Sequence, residues 1–364
     1  MIPTIQNFMN SGTLPCADNS TIDTGLAAWN SLARIIGNSV SAGTTFSKPI
    51  VSTYSLIYTG AGTFYGGVLA LNGDIHCIGS VRGQKISAAG VVSTYSLVYS
   101  LGNSAYFGGV LATNGDIHFC PLTAPVGQKI SVAGVVSTYS LVYTNASSAY
   151  YGGVLAPNGD IHFIPRNATV GQKVSSAGVV STYALVYTTT QAYAGGVLAP
   201  NGDIHFVRYA AAVGQKISAS GVVSTYSSLY HDASGGVVGA NGDIHFMPYS
   251  APVGHKISVE GVSSTYSLVY TVGGLSWGGV LAPNGDIHMV PYFAAVGQKI
   301  SASGVVSTYS LVCTLAESYT GGVLDLNGVI HFIARAASVG QKVDVTSALP
   351  FSRALCCSPW LNKL

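Results

Sequence analysis

Strand-length runs of β-branched and aromatic residues, bounded by Gly, Pro and Asn, recur along most of the chain. The clearest copy begins Gly-Gly-Val-Leu-Ala-Pro-Asn-Gly-Asp-Ile-His-Phe at residues 152–163. It continues, after a short variable loop, as Val170-Gly171-Gln172-Lys173-Val174-Ser175 and then Gly178-Val179-Val180-Ser181-Thr182-Tyr183-Ala184-Leu185-Val186-Tyr187. Three of these pieces read as strands, and the short Gln-Lys piece as a fourth. Asn158-Gly159 joins the first two as a hairpin, because both residues tolerate positive φ.

The unit repeats. The histidines of the Asn-Gly-Asp-Ile-His motif or its variants are His76, His118, His162, His205, His245, His288 and His331, at spacings of 40 to 44 residues. A period of this size with four strands is that of one propeller blade. Ser-Thr-Tyr also occurs seven times, ending at Tyr54, Tyr95, Tyr139, Tyr183, Tyr226, Tyr266 and Tyr309. Its first copy precedes the first Gly-Gly-Val, and the last repeat (321–346) has none after it. A ring closes if residues 51–58 complete the last blade, whereas an open solenoid would need polar caps instead. The expectation is an all-β, seven-bladed propeller of four-stranded antiparallel blades over 46–345, closed by an N-terminal strand that hides sheet edges.

Flanking segments differ. In residues 1–45, Ile22, Leu26, Trp29, Ala33 and Ile36 fall at helical spacing behind a possible cap at Ser20 or Thr21. This arm and a tail over 346–364 read as packing or docking segments for other proteins of a larger assembly.

Composition supports buried strands. Hydrophobic residues make up 48% and charged residues 8%, which suits sheets covered on both faces. Mean hydropathy is +0.42, yet no apolar run is long enough for a spanning helix. A net charge of +2 argues against nucleic-acid binding by phosphate neutralisation. Residues 1–12 carry neither the basic nor the apolar region of a signal peptide. Cys16, Cys77, Cys120, Cys313, Cys356 and Cys357 have no repeat spacing, so neither a disulfide framework nor a zinc site is expected.

One Asp, His and Lys per blade make a catalytic or metal reading awkward, because a site needs one asymmetric constellation. The histidine lies on a covered face and needs a partner, for which the Ser, Thr or Tyr of the fourth strand and the turn Asp are candidates. The Lys is expected to pair with an Asp or a carbonyl. WD-repeat propellers are similar in locking blades with Asp, His and Ser/Thr side chains. No cofactor or metal is expected.

The variable loops fall on the other face of the disc, and there recognition residues concentrate. The candidates are Tyr65, Tyr106, Tyr151, Tyr193, Trp277 and Tyr319 between blades, with Arg82, Arg166, Arg208 and Arg335 in the loops after the second strands. Phe64, Phe107, Tyr150, Tyr209, Tyr249, Tyr292 and Phe293 share these loops. Glycan, peptide or protein would suit such a face.

Repeats of the form Gly-Gly-Val-Leu-Ala-Pro-Asn-Gly-x-Ile-x-x-Ile-Pro, best carried by 152–165 and 195–207, resemble those of β-propeller proteins found in bacteria, protists and the virions of phages and large DNA viruses. Val329, where the seventh copy loses its Asp, and the shortened loop at 231–234 depart from the pattern. The resemblance implies a propeller and leaves the activity open. The functional expectation is a non-enzymatic structural or attachment protein, located in a virion or else the cytoplasm. A soluble multivalent lectin is the alternative. A propeller hydrolase or lyase ranks third, since Glu260 and Glu317 are the only glutamates and lie in different blades.

Overall fold

The computed structural model describes residues 49–345, apart from 61, 80, 101–103, 146, 230 and 231. The helical stripe in 1–45 and the tail at 346–364 lie outside the described residues. Seven four-stranded antiparallel sheets succeed one another in a ring, making a seven-bladed β-propeller. In blade 3 the strands run outward from the axis as Tyr150–Leu155, Ile161–Pro165, Val170–Val174 and Val180–Ala184. Blade 7 takes its outer strand, Ile50–Ser55, from the N-terminal end of the ring, with Tyr54 opposite Gly340. The permuted Ser-Thr-Tyr strand closes the ring as its sequence position requires.

The core lies between blades. Tyr150, Ile161, Phe163 and Val174 of blade 3 pack with Val110 and Cys120 of blade 2. Cys77 and Cys120 are buried free thiols that fill hydrophobic positions.

Polar groups then lock each blade. Lys173 Nζ lies 2.7 Å from Asp160 Oδ2, and the Ser176 amide donates to Asp160 Oδ1 at 3.2 Å. Asp–Lys pairs recur in six blades. Each lysine is partly solvated, so such a pair is worth only about 0–1 kcal/mol. The histidine takes the other candidate partner, with His162 Nδ1 at 3.3 Å from Tyr183 Oη. Equivalent hydrogen bonds join His76, His118, His205 and His288 to their tyrosines.

Tyr183 reaches His162 only by lying flat over Gly171, its cross-strand partner. A Cβ on Gly171 would sit 2.1 Å from the ring. The same clash guards the glycine of every Gly-Gln-Lys or Gly-His-Lys strand, from Gly83 under Tyr95 to Gly340 under Tyr54.

The Gln of that strand joins neighbouring blades. Gln172 Oε1 accepts the Val142 and Tyr143 amides of blade 2 at 3.0 and 2.7 Å. Gln84 does the same for Ile57 and Tyr58, just beyond the closing strand. Blade 5 has His255 instead, which bonds Ser263 Oγ at 2.6 Å. Among the described residues, only that seam lacks the glutamine staple.

Two outcomes follow from the packing. Gly171→Ala should destabilise by on the order of 3 kcal/mol through overpacking. Gly178→Ala, with φ of 82° but nothing within 4 Å, should cost about 1 kcal/mol from the left-handed backbone alone. Chemical denaturation midpoints compare the two, and equal losses would contradict the flat-tyrosine packing.

The second outcome concerns acid. Burial, followed by Lys173 nearby, pushes the His162 pKa down to about 4 against the opposing pull of Asp160. Burial also leads the shifts to about 4 for His76, His118, His205, His245, His255 and His288. For Asp160, burial works upward, but the Lys173 and Ser176 hydrogen bonds bring its pKa below the ordinary value. Depressed folded-state values mean that the unfolded chain binds more protons, so stability is full above pH 6.5 and falls towards pH 4. Urea midpoints measured across that window should decline steeply, and a flat profile would contradict neutral buried imidazoles.

Candidate binding site at the channel mouth

Each inner strand carries a β-bulge near its start. Tyr150 pairs with Pro165 and Gly153 with Phe163, so Tyr151 and Gly152 together oppose Ile164. A bulge re-aims side chains. Tyr150 turns into the blade core, where its phenol donates to the Val170 carbonyl at 3.1 Å. Tyr151 turns instead to the ring of aromatics at the mouth. The bulged glycines approach one another in succession round the axis: a Cβ on Gly152 would lie 3.6 Å from Gly195 Cα, and one on Gly321 would lie 3.1 Å from Gly66 Cα.

Two registers build the mouth. One is the residue directly before Gly-Gly: Tyr65, Phe107, Tyr151, Ala194, Ser234, Trp277 and Thr320. The other is the fourth residue after each motif histidine, which gives Leu122, Arg166, Tyr209, Tyr249, Tyr292 and Arg335 in blades 2 to 7. Phe107 stacks on Tyr151 with centroids 3.5 Å apart, and lies 6.1 Å from Trp277. Because Phe107 and Trp277 belong to blades 2 and 6, the rings meet across the axis. Trp277 also approaches Tyr292 at 5.0 Å and Tyr249 at 5.2 Å. Tyr65 and Phe107 are 9% and 8% exposed, so this end of the channel is capped by an aromatic cluster.

The two arginines differ. Arg335 lies over Tyr65 and Tyr292, donates to Tyr292 Oη at 2.9 Å and is ion-paired with Glu317. Arg166 lies between Tyr151 and Tyr209, 4.4 and 5.0 Å from their ring centroids. Its guanidinium has no carboxylate or other acceptor among the described residues, and its Nη1 is buried without a partner. Burial leads the rise of the Tyr151 pKa well above its ordinary range, so that phenol remains a neutral donor.

The structure therefore brings together Tyr65, Tyr151, Trp277, Arg166 and Arg335 from the sequence-derived set, and separates the rest. Tyr106, Tyr193 and Tyr319 are wholly buried core residues, whose phenols donate to the Val126, Val213 and Val339 carbonyls. They precede the mouth position by one residue, and the bulge sends the two side chains to opposite destinations. Arg208, at the buried end of its strand, donates to the Ala211 and Ser228 carbonyls. Arg82 is exposed and makes no ring contact among the described residues. Phe107, Leu122, Tyr209, Tyr249, Tyr292 and Glu317 join the site. The two register rules could have found all of these except Glu317.

No protein-family model matches the chain, and no curated protein matches it. Among solved structures it is similar to a streptogramin B lyase, with TM-score 0.72, 18% identity, and coverage of 83% of this chain and 99% of that one. Virginiamycin B lyase from Staphylococcus aureus gives TM-score 0.71 and 17% identity, covering 82% of this chain and 99% of that one. A catalytically inactive His-to-Ala variant of that lyase is known with quinupristin. An auxiliary nutrient binding protein from Bacteroides ovatus gives TM-score 0.53 and 12% identity, covering 81% of this chain and 76% of that one.

At these identities the likeness is one of fold. It corrects one expectation nonetheless. The expectation of no enzymatic role rests on motif residues that recur equally in every blade, yet the same ring serves lyases. Equal fasteners do not preclude an asymmetric centre, and the mouth of this chain is asymmetric.

Proposed function

We propose that the chain is a recognition propeller, an attachment or assembly component that holds one partner or ligand over the aromatic mouth. The observation that carries this reading is Arg166, a guanidinium held between two tyrosine rings and lacking an acceptor among the described residues. Arginine and aromatic residues grouped in this way are the types that anchor interfaces. A ligand bringing a carboxylate or other strong acceptor to the outer edge of Arg166 would complete its hydrogen bonding. A large assembly, such as a virus particle, suits a chain with 8% charged residues and a net charge of +2, because little surface repulsion keeps copies and partners apart. Among the described residues no helix is long and apolar enough to cross a membrane.

Carbohydrate is the second reading. It is favoured by Phe293, which is 40% exposed and packs edge-on against Tyr292 at 4.8 Å, leaving ring surface at the border of the patch. Seven equal sugar sites do not fit, since blades 4, 5 and 7 carry Ala194, Ser234 and Thr320 where others carry rings.

The test is to probe arrays of glycans and acidic peptides with the full chain and its Arg166→Ala variant. Binding should weaken by roughly tenfold to a hundredfold with the loss of a charge-assisted hydrogen bond, while the melting temperature stays close to that of the parent. Binding that survives the substitution would refute the mouth as the recognition site.

A further inference from the structure

On the opposite, fastener face the Asp–Lys pair is interrupted, among the described residues, at the seam where blade 7 meets blade 1. In six blades the turn carboxylate is held by the lysine ammonium within 2.7 Å. An amide from the turn after the third strand also donates to it, at 3.2 to 3.3 Å. Blade 7 has Val329 in place of that aspartate, but keeps Lys342 opposite His331. Asp325 does not substitute for the missing group. It accepts the Asn327 and Val329 amides and lies 3.3 Å from His331 Nε2. The side-chain ammonium of Lys342, a half-buried residue, has no hydrogen bond or ion pair to any described residue.

At this position a cleft of about 330 Å³ opens, within the size range of small-ligand sites. Lys342, Val329 and His331 line it with Asp325 and Asp344, and the Ser87–Gly90 turn of blade 1 forms the facing wall. Ile75, Ile86 and Leu326 supply apolar surface.

We infer that this cleft binds a small monocarboxylate, whose carboxyl group takes the place on Lys342 that the turn aspartate holds in the other six blades. The blade itself supplies the template for that carboxylate. The apolar lining accommodates a short hydrocarbon body by removing its surface from water. Asp325 limits the charge, since a second negative group would face a like charge at close range. A dianion such as phosphate is therefore disfavoured against a monoanion. The site is independent of the mouth, which lies on the other face.

Butyrate is the probe, titrated into the full chain by calorimetry or ligand-observed NMR. It should bind one to one, and butylammonium and inorganic phosphate should bind at least about tenfold more weakly. Lys342→Met should weaken butyrate at least about tenfold. Val329→Asp restores the internal carboxylate, so it should abolish butyrate binding while raising the melting temperature. Arg166→Ala should leave butyrate affinity unchanged, which keeps this result separate from that of the mouth. Failure of the parent chain to bind butyrate, tighter binding of phosphate, or binding that persists in Val329→Asp would each overturn the assignment.

Discussion

A tyrosine ring laid flat across a glycine is the contact on which the ring of blades depends. Tyr139 occupies the space a side chain at Gly127 would need and reaches His118 with its phenol. Its other surface packs against the core of the next blade, with Tyr150, Phe163 and Val174. One side chain thus covers its own sheet, satisfies a buried imidazole and presents an apolar surface to its neighbour. The tyrosine-over-glycine packing recurs in all seven blades, five of them with the histidine hydrogen bond, and it gives the blades equal thickness and lets the ring close on a strand borrowed from its N-terminal end. The glutamine staples add directionality, because each amide oxygen caps backbone donors of the preceding blade. The ion pairs between Asp and Lys are too solvated to carry the fold, and they serve chiefly to fix the hairpin turn.

This arrangement divides the disc into two faces with different freedom. The fastener face is occupied by turns whose side chains are committed to one another, so blades 1 to 6 hardly vary there. The mouth is built by two positions per blade that contribute nothing to the fasteners and are free to differ. Blades 1, 2, 3 and 6 place rings at the inner position, while blades 4, 5 and 7 place small residues. A single asymmetric patch results from a symmetric scaffold, as rigid folds commonly allow. Where the fastener itself fails, at Val329, the symmetry breaks on the other face and leaves a cation beside a cleft.

Much of the scaffold was legible in the sequence. The period, the Asn-Gly hairpins and the displaced Ser-Thr-Tyr strand specify blade size, blade number and closure, because each reflects local backbone chemistry or a count. The glycine of the Gly-Gln-Lys strand was not interpretable in that way. Its reason is a ring twelve residues further along, visible only once the two strands are in register. The role of Gln172 crosses from one blade to the next and leaves no mark on local pattern. The mouth was half legible. Loop aromatics were recognisable as a class, but a one-residue bulge decides which of two adjacent rings enters the core. Tyr106 and Phe107 therefore look alike in the sequence and have opposite roles in the structure. Alternation counted from the Gly-Gly pair, rather than from the loop, separates them.

The central claim is that recognition belongs to the variable mouth and not to the repeated motif. Site-specific photocrosslinking tests it whatever the chemical nature of the partner. A photoreactive phenylalanine analogue placed at Tyr209, on the mouth, is compared with one at Pro157, in the Asn-Gly-Asp turn of blade 3. Cross-linking in the native source should yield a discrete adduct from position 209 and none from position 157. An adduct formed from position 157 alone would contradict the account.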